Sequence, residues 1–254
     1  TATEPGSLKV NFDPSIDSSY TDYYKVTLQD SDFNTLSSFE TGQDGEITAA
    51  VETAGNYWVK VAATDYYHSD SVYGITASLS TQTGTVETED NDVVAKSDEL
   101  TAGTELKAQL SSSSDIDWFQ YTATGAASLN LAFDLPTNSS YTDYFSIQIL
   151  EDGDTVFSGV ETGKDGSLKA SISQAGTYYI KVTSTDYYHD SGQYGLTLTE
   201  GSYDSNYEQE HNGYNNTNGA LKGRGSQLSD NQKMSGQLFD NSDTDFYYIT
   251  ATEP

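Results

Sequence analysis

Glu87, Glu89, Asn91 and Asp92 place four side-chain oxygen donors within six residues. Farther along, Asp115 and Asp117 flank Ile116 just ahead of the aromatic pair Trp118-Phe119. Calcium takes about six to eight oxygen ligands in a flexible cage, and Asp, Glu, Asn and backbone carbonyls are its usual donors. Crowding this many like charges without a cation is costly through mutual repulsion. Two readings stand side by side: a calcium site, or a solvated acidic loop of the kind an acidic chain commonly carries. The pattern returns as Glu208, Glu210 and Asn212, then Asp243 and Asp245, with Gly213 where the first set has Asp92. One lost carboxylate would weaken affinity there or hand a ligand position to water.

The return is part of a long internal repeat. Leu8 recurs as Leu129, Asp22 as Asp143, and Thr64-Asp65-Tyr66-Tyr67-His68 as Thr185-Asp186-Tyr187-Tyr188-His189, all at an offset of 121 residues. After Glu208 the offset grows to 128 (245 − 117), through an Asn/Gly-rich stretch near Asn215-Asn216 whose composition reads as a surface loop. A period this long is too long for a solenoid unit and has the size of an independent domain.

The elements that must hold these residues are strands. Ser7-Leu8-Lys9-Val10-Asn11-Phe12 alternates, and so does Ser128-Leu129-Asn130-Leu131-Ala132-Phe133. Tyr57, Val59 and Val61 share one face, with Trp58 and Lys60 on the other, and Tyr178 to Val182 repeats the pattern. Such period-two runs mark half-buried antiparallel strands. Asp44-Gly45, Asp165-Gly166 and Asp152-Gly153 mark turns between them. No helical period stands out. The chain reads as all-β: tandem antiparallel β-sandwich domains.

Charge narrows the partners. Eleven Lys and Arg stand against 39 Asp and Glu, a net charge of −28. Nucleic acid and anionic membrane both reward Lys and Arg, so neither is a partner, and no run of residues is apolar enough for membrane insertion. With no cysteine, each domain must fold without disulfides, which does not exclude secretion.

The order Glu-x-Glu-x-Asn-Asp, then Asp-x-Asp-aromatic-Phe, then Ala175-Gly176-Thr177-Tyr178-Tyr179-Ile180-Lys181-Val182 and Gln193-Tyr194-Gly195-Leu196-Thr197-Leu198, resembles the bacterial pre-peptidase C-terminal domain. The collagen-binding domain of clostridial collagenases reads similarly. The resemblance covers residues 87–199. It implies a jelly-roll-like sandwich with calcium held between the N-terminal linker and a neighbouring loop. Carried over by position, the ligands are Glu87, Glu89, Asn91, Asp92, Asp115 and Asp117, with Glu208, Glu210, Asn212, Asp243 and Asp245 as a second, poorer set.

Tyrosine is common, at 20 residues. Tyr20, Tyr23, Tyr66 and Tyr67 recur as Tyr141, Tyr144, Tyr187 and Tyr188. Beside Asp22 and Asp143 they suit a binding face for polysaccharide or fibrous protein; tyrosine also simply packs well across strands. Tyr73 and Tyr194, ahead of the last strand of each copy, read as core. His68, His189 and His211 are too sparse for a transition-metal site. No nucleophile or phosphate-loop motif appears, and an active site seldom comes duplicated in adjacent copies, so the chain reads as a non-enzyme.

Three parts follow: 1–80 as the C-terminal part of a first repeat, 81–200 as a complete domain, and 201–254 as the N-terminal part of a further repeat. Left alone, 1–80 would expose a core face and open strand edges. The two terminal parts are expected to complement each other, within one chain or head to tail between chains. The functional expectation is a calcium-dependent spacer in a large exported bacterial protein, an extracellular or cell-surface adhesin or secreted hydrolase, beside neighbouring repeats. The alternative is an adhesive ligand-binding module that uses the Tyr/Asp face.

Overall fold

A computed structural model describes residues 2, 6–51, 54–64, 66–80, 85–89, 91–185, 187–190, 192–209, 225–239 and 243–251. The first unit holds β1 (Gly6–Pro14), β2 (Tyr24–Gln29), β3 (Thr35–Thr41), β4 (Gly45–Val51), β5 (Trp58–Ala63) and β6 (Tyr73–Ser80). The middle unit holds β7 (Thr85–Val86), β8 (Asp98–Glu99), β9 (Glu105–Ala108), β10 (Ile116–Ala123), β11 (Ala127–Asp134), β12 (Phe145–Glu151), β13 (Thr155–Thr162), β14 (Gly166–Ile172), β15 (Gly176–Ser184) and β16 (Tyr194–Ser202). Two short strands follow, β17 (Ser226–Gln227) and β18 (Tyr247–Tyr248).

The middle unit is a sandwich of two five-stranded sheets, ordered β13-β12-β15-β10-β8 and β14-β11-β16-β9-β7. Alternation along β11 and β15 sends Leu129, Leu131, Tyr178, Ile180 and Val182 inward, where they meet Phe119, Phe145 and Ile147 in one core. Burying side chains of this size is worth about 1.5–3 kcal/mol each. The first unit repeats β11–β16 strand for strand, as two three-stranded sheets ordered β4-β1-β6 and β3-β2-β5. Leu8 pairs with Ala49 as Leu129 pairs with Ala170, at the same offset. Even the β-bulge recurs, between Leu28 and Gln29 in β2 and between Ile149 and Leu150 in β12.

What differs is the outer pair of strands in each sheet. In the middle unit β10 covers β15 and β9 covers β16. In the first unit, among the described residues, β5 pairs only with β2, and β6 only with β1. All eight residues of β6 are exposed. Tyr73 is 43% exposed whereas its counterpart Tyr194 is fully buried. The expectation that Tyr73 is core is therefore corrected: the strand that would cover it is not on β6.

The described residues among 203–251 repeat pairings of the first strands of the middle unit. β17 pairs in parallel with β18 through Ser226↔Tyr247 and Gln227↔Tyr248, as β8 pairs with β10 through Asp98↔Phe119 and Glu99↔Gln120. Tyr207 bridges Ser235 as Val86 pairs with Lys107. This segment is tied to the middle sandwich: Lys169 contacts Asp204 at 2.6 Å and Gln237 Nε2 donates to the Gly159 carbonyl at 3.0 Å. These contacts join it to 81–200 rather than to 1–80.

Asp152-Gly153 forms the β12–β13 turn with φ of 54° and 79°, the left-handed pair that an Asp-Gly hairpin turn supplies.

The uneven coverage has a measurable consequence. Amides of β5 and β6 will exchange faster in hydrogen-exchange mass spectrometry than those of β15 and β16. Ile180→Ala, in the closed core, will cost about 2–5 kcal/mol in denaturant unfolding. Val59→Ala, its half-covered counterpart, will cost clearly less.

Candidate metal centre

β7 and β9 bring Glu87 beside Gln109, whose N–H donates to Glu87 Oε1 at 2.6 Å. β10 alternates, and this sends Asp117 inward while Ile116 and Trp118 point the other way. Asp117 is fully buried, and it receives a hydrogen bond from the Tyr194 hydroxyl at Oδ2. Glu87, Glu89 and Asp117 each offer a carboxylate oxygen within 4.8 Å of the others. Asn91 is also fully buried; its carbonyl accepts the Trp118 N–H at 3.3 Å, which pins the linker to β10.

Three buried oxygens here have no hydrogen-bond partner: Glu87 Oε2, Asn91 Oδ1 and Asp117 Oδ1. Leaving a buried acceptor unsatisfied costs about 1–3 kcal/mol, and more when it is charged. The three belong to residues from one short linker and one strand. They share hard oxygen chemistry, which suits calcium rather than a thiolate- or imidazole-seeking metal.

Burial, and then the Asp117 and Glu89 carboxylates, push Glu87 well above the usual carboxylate range. Burial and the Asp115 carboxylate do the same to Asp117. Tyr194 is driven well above its ordinary value by burial and by the Asp117 and Glu87 charges, so it stays a hydrogen-bond donor. Asp115 is raised by burial, although the Ser111 N–H partly offsets this. Asp92 is exposed; its Oδ1 accepts the Ile116 N–H at 3.2 Å, the same donor that reaches Asp115 Oδ1 at 3.0 Å.

The six residues of the first set therefore gather at one place, with Glu87, Asn91, Asp115 and Asp117 buried, Glu89 half-buried and Asp92 exposed. In the second set Glu208 is buried and accepts from the Gln237 N–H, repeating Glu87 and Gln109. Phe239 N–H donates to Asp243 at 3.0 Å, as Ser111 N–H does to Asp115. Burial, with the Glu208 and Asp243 carboxylates, raises Asp245 to about 6. Glu210, His211 and Asn212 lie outside the described residues.

Two participants escaped the sequence reading. Tyr194 was read as core only, yet its hydroxyl reaches Asp117. Asp98 accepts both the Thr88 N–H at 2.8 Å and Asn91 Nδ2 at 3.3 Å, and so holds the ligand linker in place. The repeat carries the signal: Ser226 aligns with Asp98 and accepts the Gln209 N–H at 3.2 Å, as Asp98 accepts that of Thr88.

The cluster stands at a junction, since Leu36 and Ala49 of the first unit line one small cavity together with Val86, Glu87 and Glu89. Against this geometry the comparisons with known proteins are as follows. No protein-family model matches the chain, and no curated protein matches it. Among solved structures it is similar to the pre-peptidase C-terminal domain of a collagenase from Bacillus anthracis, at 15% identity and a TM-score of 0.32, over 41% of this chain and 94% of that one. It is also similar to tandem CBM51 modules of a family 98 glycoside hydrolase from Streptococcus pneumoniae, at 13% identity and a TM-score of 0.31, over 80% of this chain and 79% of that one. At these scores the likenesses carry no functional argument.

The tyrosines form a second feature, on the loops beside β2 and β12. Tyr67 stacks on Tyr23 at 5.1 Å and lies 6.2 Å from Tyr20; Tyr188 stacks on Tyr144 at 4.8 Å and lies 5.8 Å from Tyr141. Each loop is drawn close by a glycine: a Cβ at Gly42 would meet the Tyr20 carbonyl at 2.2 Å, and one at Gly163 the Tyr141 carbonyl at 2.4 Å. Tyr66 and Tyr187 are each 81% exposed. Tyr23 and Tyr144 are partly buried against their cores. His189 Nδ1 sits 3.0 Å from Ser184 Oγ, and burial lowers its pKa.

Two substitutions separate charge from hydrogen bonding at Asp117. Asp117→Asn will raise the stability of chelator-treated protein, because it removes a carboxyl group whose charged form burial and the Asp115 carboxylate disfavour. Tyr194→Phe will lower it by about 1–3 kcal/mol, because Asp117 Oδ2 loses its donor. Both are read from denaturant unfolding midpoints.

Proposed function

We propose that the chain is a calcium-binding, non-catalytic β-sandwich repeat that serves as a spacer or accessory module in a large exported bacterial protein. The observation that carries this reading is the set of buried oxygens on Glu87, Asn91 and Asp117 that lack hydrogen-bond partners beside the Glu89 carboxylate. A calcium ion there would take oxygens from Glu87, Glu89, Asn91 and Asp117, with Asp115 buried beside them and Asp92 exposed, and would neutralise their mutual repulsion. Because the ligands span the linker and β10, binding would stiffen the junction with the first unit and add to fold stability. Glu208, Asp243 and Asp245, with Glu210 and Asn212, would form a weaker second site.

An adhesive reading stands beside it, favoured by the exposure of Tyr20, Tyr66 and Tyr67 and its recurrence at Tyr141, Tyr187 and Tyr188. Aromatic rings beside carboxylates suit sugar rings or a fibrous polypeptide. Among the described residues no helix is long and apolar enough to cross a membrane.

Thermal melting with excess calcium and with chelator tests the first reading. At a hundredfold excess over Kd the ion contributes about 2.7 kcal/mol, a shift on the order of 10 °C. Asp117→Asn will lose that shift, and an unchanged melting temperature in the parent chain removes the calcium reading. For the second, a glycan array and a collagen-binding assay will show binding that Tyr66→Ala with Tyr187→Ala abolishes at unchanged melting temperature. Absence of any ligand, or binding indifferent to both substitutions, removes it.

A further inference from the structure

The first and middle units have drifted apart in sequence even where they are buried. Val10 aligns with Leu131, Val26 with Ile147, Leu28 with Ile149 and Ile47 with Leu168, and every one of these positions is core. Exposed strand positions differ as well, as in Asn11 against Ala132 and Glu46 against Ser167. Two runs are identical instead. Ser18-Ser19-Tyr20-Thr21-Asp22-Tyr23 matches residues 139–144, and Thr64-Asp65-Tyr66-Tyr67-His68 matches residues 185–189. Both runs are loop segments, where sequence ordinarily varies most.

Backbone geometry accounts for part of this identity. The Ser18 N–H donates to the Gly42 carbonyl and the Ser139 N–H to that of Gly163, both at 2.9 Å. The Thr64 hydroxyl donates to the Asp22 carbonyl, and the Thr185 hydroxyl to that of Asp143. These bonds set the loop paths without using the tyrosine rings. Tyr20 and Tyr141 are 64% and 62% exposed, and Tyr66 and Tyr187 stand farther out still. A fold gains little from the identity of side chains so exposed. The rings are held the same in both units for something outside the fold.

We propose that Tyr20, Asp22, Tyr66 and Tyr67, with Tyr141, Asp143, Tyr187 and Tyr188, form two equivalent subsites that grip one neutral polysaccharide chain at two points. The proposal rests on the adhesive reading above and commits it to one partner. Tyrosine rings offer flat apolar faces to the C–H faces of pyranose rings. Asp22 and Asp143, held by the Thr21 and Thr142 hydroxyls at 3.3 and 3.2 Å, bring carboxylate acceptors for sugar hydroxyls into the same loops. A net charge of −28 turns away sulfated and uronate-bearing chains. An extended peptide needs a sheet edge, and a polyproline-type one an aromatic groove; these rings stand at loop tips. Once one subsite is filled, the other meets the same polymer intramolecularly, and avidity rises by about 10²–10⁴.

Biolayer interferometry of the full chain on immobilised dextran, laminarin and galactomannan tests this, with collagen as the comparison. The chain will bind at least one polysaccharide and not collagen. Tyr66→Ala or Tyr187→Ala alone will weaken that binding by about 100-fold, and the pair will abolish it. For a short oligosaccharide of the same polymer, calorimetry will show each single substitution removing one of two equal sites and leaving the Kd of the other unchanged. Both tyrosines are 81% exposed, and an unchanged melting temperature verifies that the variants are folded. Binding to collagen and to none of the polysaccharides overturns the proposal but spares the adhesive reading. Binding to neither removes both. A single substitution that costs nothing, or that alone abolishes binding, overturns the two-point grip.

Discussion

Glu87 and Asp117 are removed from water where β7, β9 and β10 meet, and burial there disfavours the charged form of each carboxyl group. Each has one oxygen satisfied by its own scaffold, through the Gln109 N–H and the Tyr194 hydroxyl. Each has a second oxygen with no protein donor. An ionised carboxylate in that position is costly by desolvation and by repulsion from its neighbour. A divalent cation bound there would relieve both costs at once and would tie Glu87, Glu89 and Asn91 of the linker to β10. That links electrostatics to the packing of one unit on the next.

Contacts also run between successive parts of the repeat. Gln237 meets Gly159 of β13, and its counterpart Gln109 lines one cavity with Leu36 of β3, Glu87 and Glu89. The sandwich is also finished by its linker: β7 and β8 extend the two sheets in parallel on β9 and β10. The first unit has its inner sheets and a core of Val10, Phe12, Val26 and Leu28, and among the described residues β6 is exposed.

Much of this was legible in the sequence because repetition fixes register. The offset of 121 aligns Leu8 with Leu129 and also aligns their strand partners. The acidic donors were legible by type and spacing. Tyr194 was legible as buried, but its bond to Asp117 was not, since it joins residues far apart in sequence that only sheet closure brings together. Asp98 carried no motif of its own, because its contribution is to hold the Thr88 and Asn91 side of the linker. Tyr73 looked identical to Tyr194 in local sequence; its exposure depends on whether another strand lies beside β6, which no local pattern reports.

The buried acidic cluster is proposed to be a cation site. Equilibrium dialysis against calcium, followed by elemental analysis of the bound metal, addresses it directly. At least one calcium will be retained per chain at about 1 mM free calcium, and that ion will be lost in Asp117→Asn. A parent chain that retains none at this concentration would contradict it.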